Sequence, residues 1–329
     1  MKKVTIQDVA DASKVSKATI SRYLNGQWNR MNQQTRQKIA NKIEELGYIP
    51  NQQARSLKAK HNKIIGLIVA DIANLYTSRL IKGIQTTLRR EGYRLLIYDS
   101  SNNLKDEAES IKYILAQNVD GIILQPLSSE SKQYEMLNNL DCPVILVDRQ
   151  TYPLRWESIT SNDFVAAQQL MNLVFQRGYK QVSVITGKID LISSRSLRYN
   201  GILEAAKQFN AKVELDELDD EYLVQLEEIV KSSKGKHKAL FATNGQLLID
   251  IIKICKSFDI KIPEELAVVG YDDMSVGDLT TPGISAINQK PVQIGKEAAQ
   301  KLIEHIGDEN KSEPSVNMID SKIVKRQSF

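Results

Sequence analysis

A chain of 329 residues is too long for one small domain and points to two or three compact units. Its charge is uneven: residues 1–60 hold 12 Lys and Arg against 4 Asp and Glu, a local net of +8 in a chain whose total is +4, so the remainder is net −4. Two cysteines, Cys142 and Cys255, exclude a disulfide framework, and the polar N-terminal stretch offers no apolar run for a signal peptide or membrane span, so a cytoplasmic location is expected.

The first elements are two short helical patterns between Val4 and Asn25, almost touching. Ile6, Val9 and Ala10 share one helical face, and Ile20 and Leu24 share another. Thr5 with Asp8 has capping-box form, with Asp in place of Glu, and Ser16 suits the N-cap of a second helix starting at Lys17. Turning that helix by about 100° per residue separates Thr19, Ile20, Tyr23 and Leu24 from Lys17, Ala18, Ser21, Arg22 and Asn25. One arc packs; the other is polar, and together with Thr5 and Ser16 it is expected to contact DNA, with side chains that reach base edges and phosphates in a major groove. An amphipathic surface helix is the competing reading of the same pattern.

The segments VTIQDVA, VSKATISRYLNG and TRQKIANKIEELGYIPNQQARSLK resemble the N-terminal signature of the lactose/galactose repressor (LacI/GalR) family of bacterial transcription regulators. One departure lies at the turn, where the family usually carries Ala-Gly and this chain has Ser13-Lys14. Glycine adopts the left-handed conformation cheaply, so Lys14 implies either a modest strain or a different turn.

Next, Ile39, Ala40, Ile43 and Leu46 recur at helical spacing and give a third helix, stopped by Gly47. The helix-turn-helix domain is accordingly placed at 1–47 and a connecting segment at 48–61. In the family this segment is a hinge that becomes helical on operator DNA and inserts a leucine into the minor groove. The resemblance assigns that role to Leu57, with Asn51, Ala54 and Arg55 beside it; an apolar wedge between base steps kinks DNA. A plain solvated linker is the alternative.

From residue 64 onward, strand-like runs alternate with helical patterns: 64–70, 94–99, 121–125 and 144–147, then 182–186, 239–242 and 266–271. Near-continuous apolar strands separated by helices indicate parallel sheets covered on both faces. Two such doubly wound sheets in tandem resemble the family's periplasmic-binding-protein-like core. That resemblance implies three crossings of the chain between subdomains. The expected first subdomain is 62–160 with 290–319, and the second is 161–289 with 320–329. The helix over 292–306 should return to the first subdomain, and IVKRQS should form the last strand.

Ligands of open α/β sheets bind outside the carboxyl ends of strands, and two such rims should face each other across a cleft. The rims hold Tyr76, Ser101, Gln125, Asp148, Arg149, Arg198, Asn244, Asp272 and Gln289. Of these, Asp148-Arg149, Arg198 in its R-x-x-G element, Asn244 and the first Asp of GYDD, Asp272, match family effector positions. Gly245 breaks the family's Asn-Asp element. Asp163 and Asp273 read as caps or turn residues. The two arginines, without an evident partner, favour an anionic ligand, because unpaired buried charge is costly; neutralisation by Asp148 or Asp272 is the counter-reading. SRYLNG followed by W-x-x-M also resembles the subgroup that senses keto-deoxy sugar acids.

His61, His237 and His305 make no metal-ligand spacing, and no P-loop, dinucleotide fingerprint or nucleophile with an evident base is present, so no metal, cofactor or catalytic residue is expected. Three classes remain: a ligand-controlled DNA-binding regulator, a sugar-binding protein, and an enzyme on the same core. The basic N-terminal 60 residues favour the first. The expectation is a homodimeric repressor, with an activator or co-regulator as runner-up. Its partners are palindromic double-stranded operator DNA and a sugar or sugar-acid effector, and it has no membrane role.

Overall fold

A computed structural model describes residues 4–48, 62–138, 140–219, 221–271, 276–307 and 313–329. The chain divides into two compact units, 1–62 and 63–329.

In the first unit, α1 (Ile6–Ser13), α2 (Lys17–Leu24) and α3 (Gln33–Glu45) enclose Val9, Ala10, Ile20, Ile39 and Tyr48. Each helix carries a side-chain N-cap: Thr5 in a complete capping box with Asp8, Ser16 accepting from Thr19 N–H, and Asn32 accepting from Thr35 N–H. The turn keeps its left-handed residue, with Lys14 at φ 54°, ψ 44°. A lysine therefore holds the left-handed turn position without glycine, at a cost of about 1–2 kcal/mol.

The second unit contains two six-stranded sheets in a continuous body. The first has the order β11-β5-β4-β3-β1-β2, from β1 (Ile64–Val69), β2 (Arg94–Asp99), β3 (Gly121–Leu124), β4 (Val144–Val147), β5 (Glu157–Ser161) and β11 (Val316–Ile319). All its pairings are parallel, with Ile65 set against Leu95 and Gly121. The second has the order β12-β10-β9-β8-β6-β7, from β6 (Gln181–Thr186), β7 (Lys212–Glu217), β8 (Ala239–Ala242), β9 (Ala267–Tyr271), β10 (Ser285–Asn288) and β12 (Lys322–Val324). Among the described residues, only β12 runs antiparallel to its neighbour.

Helices cover both faces of each sheet, as near-continuous apolar strands require. On the first lobe α4 (Leu75–Arg90) and α10 (Pro291–His305) lie over one face and α5 (Leu104–Ala116) over the other. On the second, α6 (Asp163–Gln176) and α7 (Ser193–Phe209) oppose α8 (Leu223–Ser233) and α9 (Gly245–Ser257). Glycines set two helix crossings. A Cβ on Gly83 would meet the Val292 carbonyl oxygen at 2.2 Å, and one on Gly201 the Phe164 carbonyl oxygen at 2.2 Å.

The chain passes between lobes after β5, after β10 and between β11 and β12, and α10 packs on the first lobe. The crossings are tied together: Ser161 donates to Gln289 Oε1, while Asn162 donates to Asp320 and accepts from Ser321 N–H. Strands β5, β7, β10 and β11 were not expected from the sequence. β5 reads ESITS and β7 KVELDE, too polar to stand out, although β5 is almost wholly buried. The last strand is shorter than IVKRQS, because after Val324 the chain leaves the ladder; Arg326 N–H then bonds Ser285 Oγ, and Ser328 Oγ accepts from Ser285 N–H.

Candidate functional site

On α2, Ile20 is buried and Thr19, Tyr23 and Leu24 are half-buried, whereas Ser16, Lys17, Ala18, Ser21, Arg22 and Asn25 are exposed. The helix thus buries one arc and presents the other as an exposed polar stripe. Thr5 and Ser16 are exposed, and their hydroxyls cap α1 and α2 respectively; the Ser16 cap fixes where the stripe begins. Asn51, Ala54, Arg55 and Leu57 lie outside the described residues.

Within the second unit, a cleft of about 840 Å³ lies between the carboxyl ends of the two sheets. It collects Tyr76, Gln125, Asp148, Arg149, Arg198, Asn244 and Gln289 from the residues expected on the rims. Ser101 is not brought to it. Ser101 curls back onto its own strand end, its N–H and hydroxyl both bonded to the Asp99 carboxylate, and its neighbour Asn102 lines the cleft instead. Asp272 lies outside the described residues.

The floor is braced from both sides. Gln125 accepts from Ala70 N–H at 3.0 Å and donates to Asp148 Oδ2 at 2.8 Å, fixing a buried carboxylate on a residue at φ 69°. A non-glycine residue held there is costly, a feature common at binding sites. Asn244 caps α9, its Oδ1 accepting from Leu247 N–H at 2.9 Å.

The expectation that Arg198 lacks a partner is overturned. Its Nε donates to Asp163 Oδ1 at 2.7 Å, Nη2 to Gln289 Oε1 at 2.8 Å and Nη1 to the Thr243 carbonyl, and the guanidinium stacks 3.9 Å from the Tyr271 ring centre. Asp163, read from sequence as a cap or turn residue, is therefore the buried counter-ion of the cleft. Burial pushes its carboxyl up to about 6, although Arg198 pulls it down. Nothing local in the sequence marked this pair, which spans 35 residues.

Sequence reasoning also missed Arg195, one turn before Arg198 on α7 and hence on the same side of the helix. It is half-buried, lines the cleft and donates from Nη1 to the Lys188 carbonyl at 3.2 Å. Burial first, and then the positive charges of Arg149 and Arg198, push its guanidinium down to about 10, with Glu217 acting the other way. Arg149 donates to the Pro126 carbonyl at 3.0 Å, and its Nε lies 3.4 Å from Asp148 Oδ2.

Behind the rim, Glu107 is buried, accepting from Leu127 N–H and the Tyr134 hydroxyl. Burial raises its carboxyl to about 7. Among the described residues no cluster of three or more His, Cys, Asp or Glu could hold a metal ion, and no helix is long and apolar enough to cross a membrane.

Residues 5–51 match the family model for bacterial regulatory proteins of the lacI family, and 173–329 the periplasmic binding protein-like domain. The chain is 30% identical to the HTH-type transcriptional regulator PtxS of Pseudomonas plecoglossicida, over 92% of this chain and 89% of that one. It belongs to the LacI family of bacterial transcription regulators. This LacI-family chain is also 29% identical to the HTH-type transcriptional regulator KdgR of Bacillus subtilis, over 99% of this chain and 97% of that one. Its fold is that of the lac repressor, seen in a dimer bound to operator and the anti-inducer ONPF (TM-score 0.85, 20% identity, 99% of each chain). The protein is a DNA-binding transcription regulator, not an enzyme.

Proposed function

We propose that this LacI-family regulator is a repressor in the cytoplasm, binding a palindromic operator as a homodimer and controlled by a sugar acid held in the cleft. The observation that carries the reading is the pairing of two surfaces in one chain: the exposed stripe Lys17, Ala18, Ser21, Arg22 and Asn25, and a polar cleft braced by Asp148, Gln125 and Gln289. The stripe fits base edges, with the basic N-terminal end attracting phosphates. The lac repressor, whose fold the chain shares, was crystallised as a dimer on its operator, which supports the same arrangement here. In the cleft, carboxylate and amide groups suit sugar hydroxyls, and arginines suit an acid group. The roles of Leu57 and Asp272 remain part of this proposal, as hinge wedge and hydroxyl acceptor.

A neutral sugar is the second reading, favoured by one observation: Arg198 already has Asp163 as its counter-ion. Gel-shift titration of the operator complex with galacturonate, 2-keto-3-deoxygluconate and their neutral analogues separates the two. Release by an acid at concentrations where its neutral analogue does nothing is the expected result. Release by neutral sugars alone overturns the sugar-acid reading, and a transcription assay in which deletion of the regulator lowers expression overturns repression.

A further inference from the structure

We infer that Arg195 on the second lobe and Arg149 on the first form a carboxylate subsite bridging the lobes, so that an anionic effector draws the cleft shut by neutralising their mutual repulsion. This rests on the reading of the cleft as a sugar-acid site, and it moves recognition of the acid group away from Arg198, whose donors already go to Asp163, Gln289 and Thr243.

Three observations carry it. The first is position. Both arginines line the cleft, and they flank a point where the lobes touch, since Gln150 N–H donates to Ser193 Oγ at 2.9 Å and ties the loop after β4 to the start of α7. The second is unspent donor capacity. Among the described residues no carboxylate lies within ion-pair distance of Arg195, whose recorded bond is to the Lys188 carbonyl; Glu217, whose charge acts on it from further off, accepts instead from Ile189 N–H at 2.8 Å. The recorded contacts of Arg149 are Nη1 to the Pro126 carbonyl and a buried Nε 3.4 Å from Asp148 Oδ2, an oxygen itself bonded to Gln125, and neither uses Nη2. A guanidinium carries five N–H donors, so each arginine can still grip a ligand oxygen.

The third observation is the seat of Arg195. A Cβ at residue 187 would lie 2.8 Å from Arg195 Nη1, and Gly187 has no positive φ that would itself demand glycine. The missing side chain makes room for the guanidinium. Two cations that line one cleft from opposite lobes repel each other, which disfavours narrowing of the gap. A carboxylate between them reverses that sign and replaces lost water with charge-assisted bonds.

The test uses the full chain and two kinds of probe. Calorimetric titration with galacturonate and 2-keto-3-deoxygluconate should show Arg195→Gln weakening the acid by about 10–100-fold, the worth of hydrogen bonds to a charged group, with Arg195→Lys restoring part of it. Affinity for the neutral analogues should stay nearly unchanged. Gly187→Ala, which displaces the guanidinium while leaving its charge, should weaken the acid in the same direction. Inorganic sulfate supplies the second arm: at fixed ionic strength it should raise the melting temperature of the wild type more than that of Arg195→Gln. If the wild type binds an acid and Arg195→Gln binds it equally well, the subsite is wrong while the sugar-acid reading stands. If no acid binds but sulfate stabilisation depends on Arg195, the subsite stands and the sugar-acid reading falls. Indifference to both probes overturns both.

Discussion

Replacing Arg198 by methionine isolates the energetics of the buried pair. Arg198 and Asp163 are 5% and 2% exposed, so neither charge has water to fall back on. Arg198→Met removes the 2.7 Å ion pair, the donors to Gln289 and Thr243 and the stack on Tyr271. Breaking one partner out of a buried pair costs about 3–5 kcal/mol, chiefly because the other charge is left unpaired. Asp163 can escape by taking up a proton. Its carboxyl already sits at about 6 in the wild type and rises further without Arg198. A folded pKa above the unfolded value means that the native state holds a proton which the unfolded chain gives up, so stability falls as pH climbs through that interval. The deficit of Arg198→Met should therefore be greatest near pH 8 and shrink towards pH 5. Asp163→Asn combined with Arg198→Met removes the orphaned charge and should recover most of the loss. Urea unfolding of the three proteins at several pH values measures this. A single variant within about 1 kcal/mol of wild type at pH 8, or a double variant no more stable than the single, refutes the assignment of Asp163 as counter-ion.

Arg22→Ala should abolish operator selection, since an arginine bidentate to guanine supplies about 1–3 kcal/mol of discrimination, while weak salt-sensitive binding to any duplex survives; gel shifts against operator and random DNA read this directly. The buried Glu107, with its carboxyl raised to about 7, holds a proton that the unfolded chain releases near its ordinary value of 4.5, so this site should cost the wild type stability as pH rises from about 4.5 to 7. Glu107→Gln should flatten that dependence and gain up to about 3 kcal/mol at pH 8, seen as a smaller fall in melting temperature between pH 5 and 8. Gly201→Ala places a methyl 2.2 Å from the Phe164 carbonyl oxygen and should cost about 1–3 kcal/mol or more through parting of α6 and α7; denaturant unfolding indistinguishable from wild type would contradict that packing.

The pattern of α2 was legible residue by residue, because a helix with one buried arc declares itself by spacing alone; Ile20 inward and Arg22 outward follow from a period of about 3.6. The apolar strands IIGLIV and ALFA were equally plain, since parallel strands buried on both faces carry little polarity. β5 and β7 were not, because polar residues make up most of both; in β5 two of them find partners far away in sequence, Glu157 bonding His305 and Ser161 bonding Gln289. The same limit explains the cleft. Sequence placed Arg198 and Gln125 on the rims but had no means of pairing Arg198 with Asp163. Nor did it separate Arg195 from the polar run SSRSLR, because burial and counter-charge arise only when the lobes are assembled.

The threefold passage of the chain between lobes also dictates the order in which the molecule can be made. The first lobe owes one covering helix, α10, and an edge strand, β11, to residues 291–319, so when Asn288 leaves the ribosome that lobe is still unroofed. Leu80 and Ile84, which α10 covers, face solvent at that stage, while the second lobe lacks an edge strand, β12, and the short tail after it that ends in Ser328 and Phe329. The later-synthesised lobe should thus be nearer completion than the earlier one. A growing chain of this architecture carries its exposed apolar surface at the front, where a chaperone has the longest time to find it.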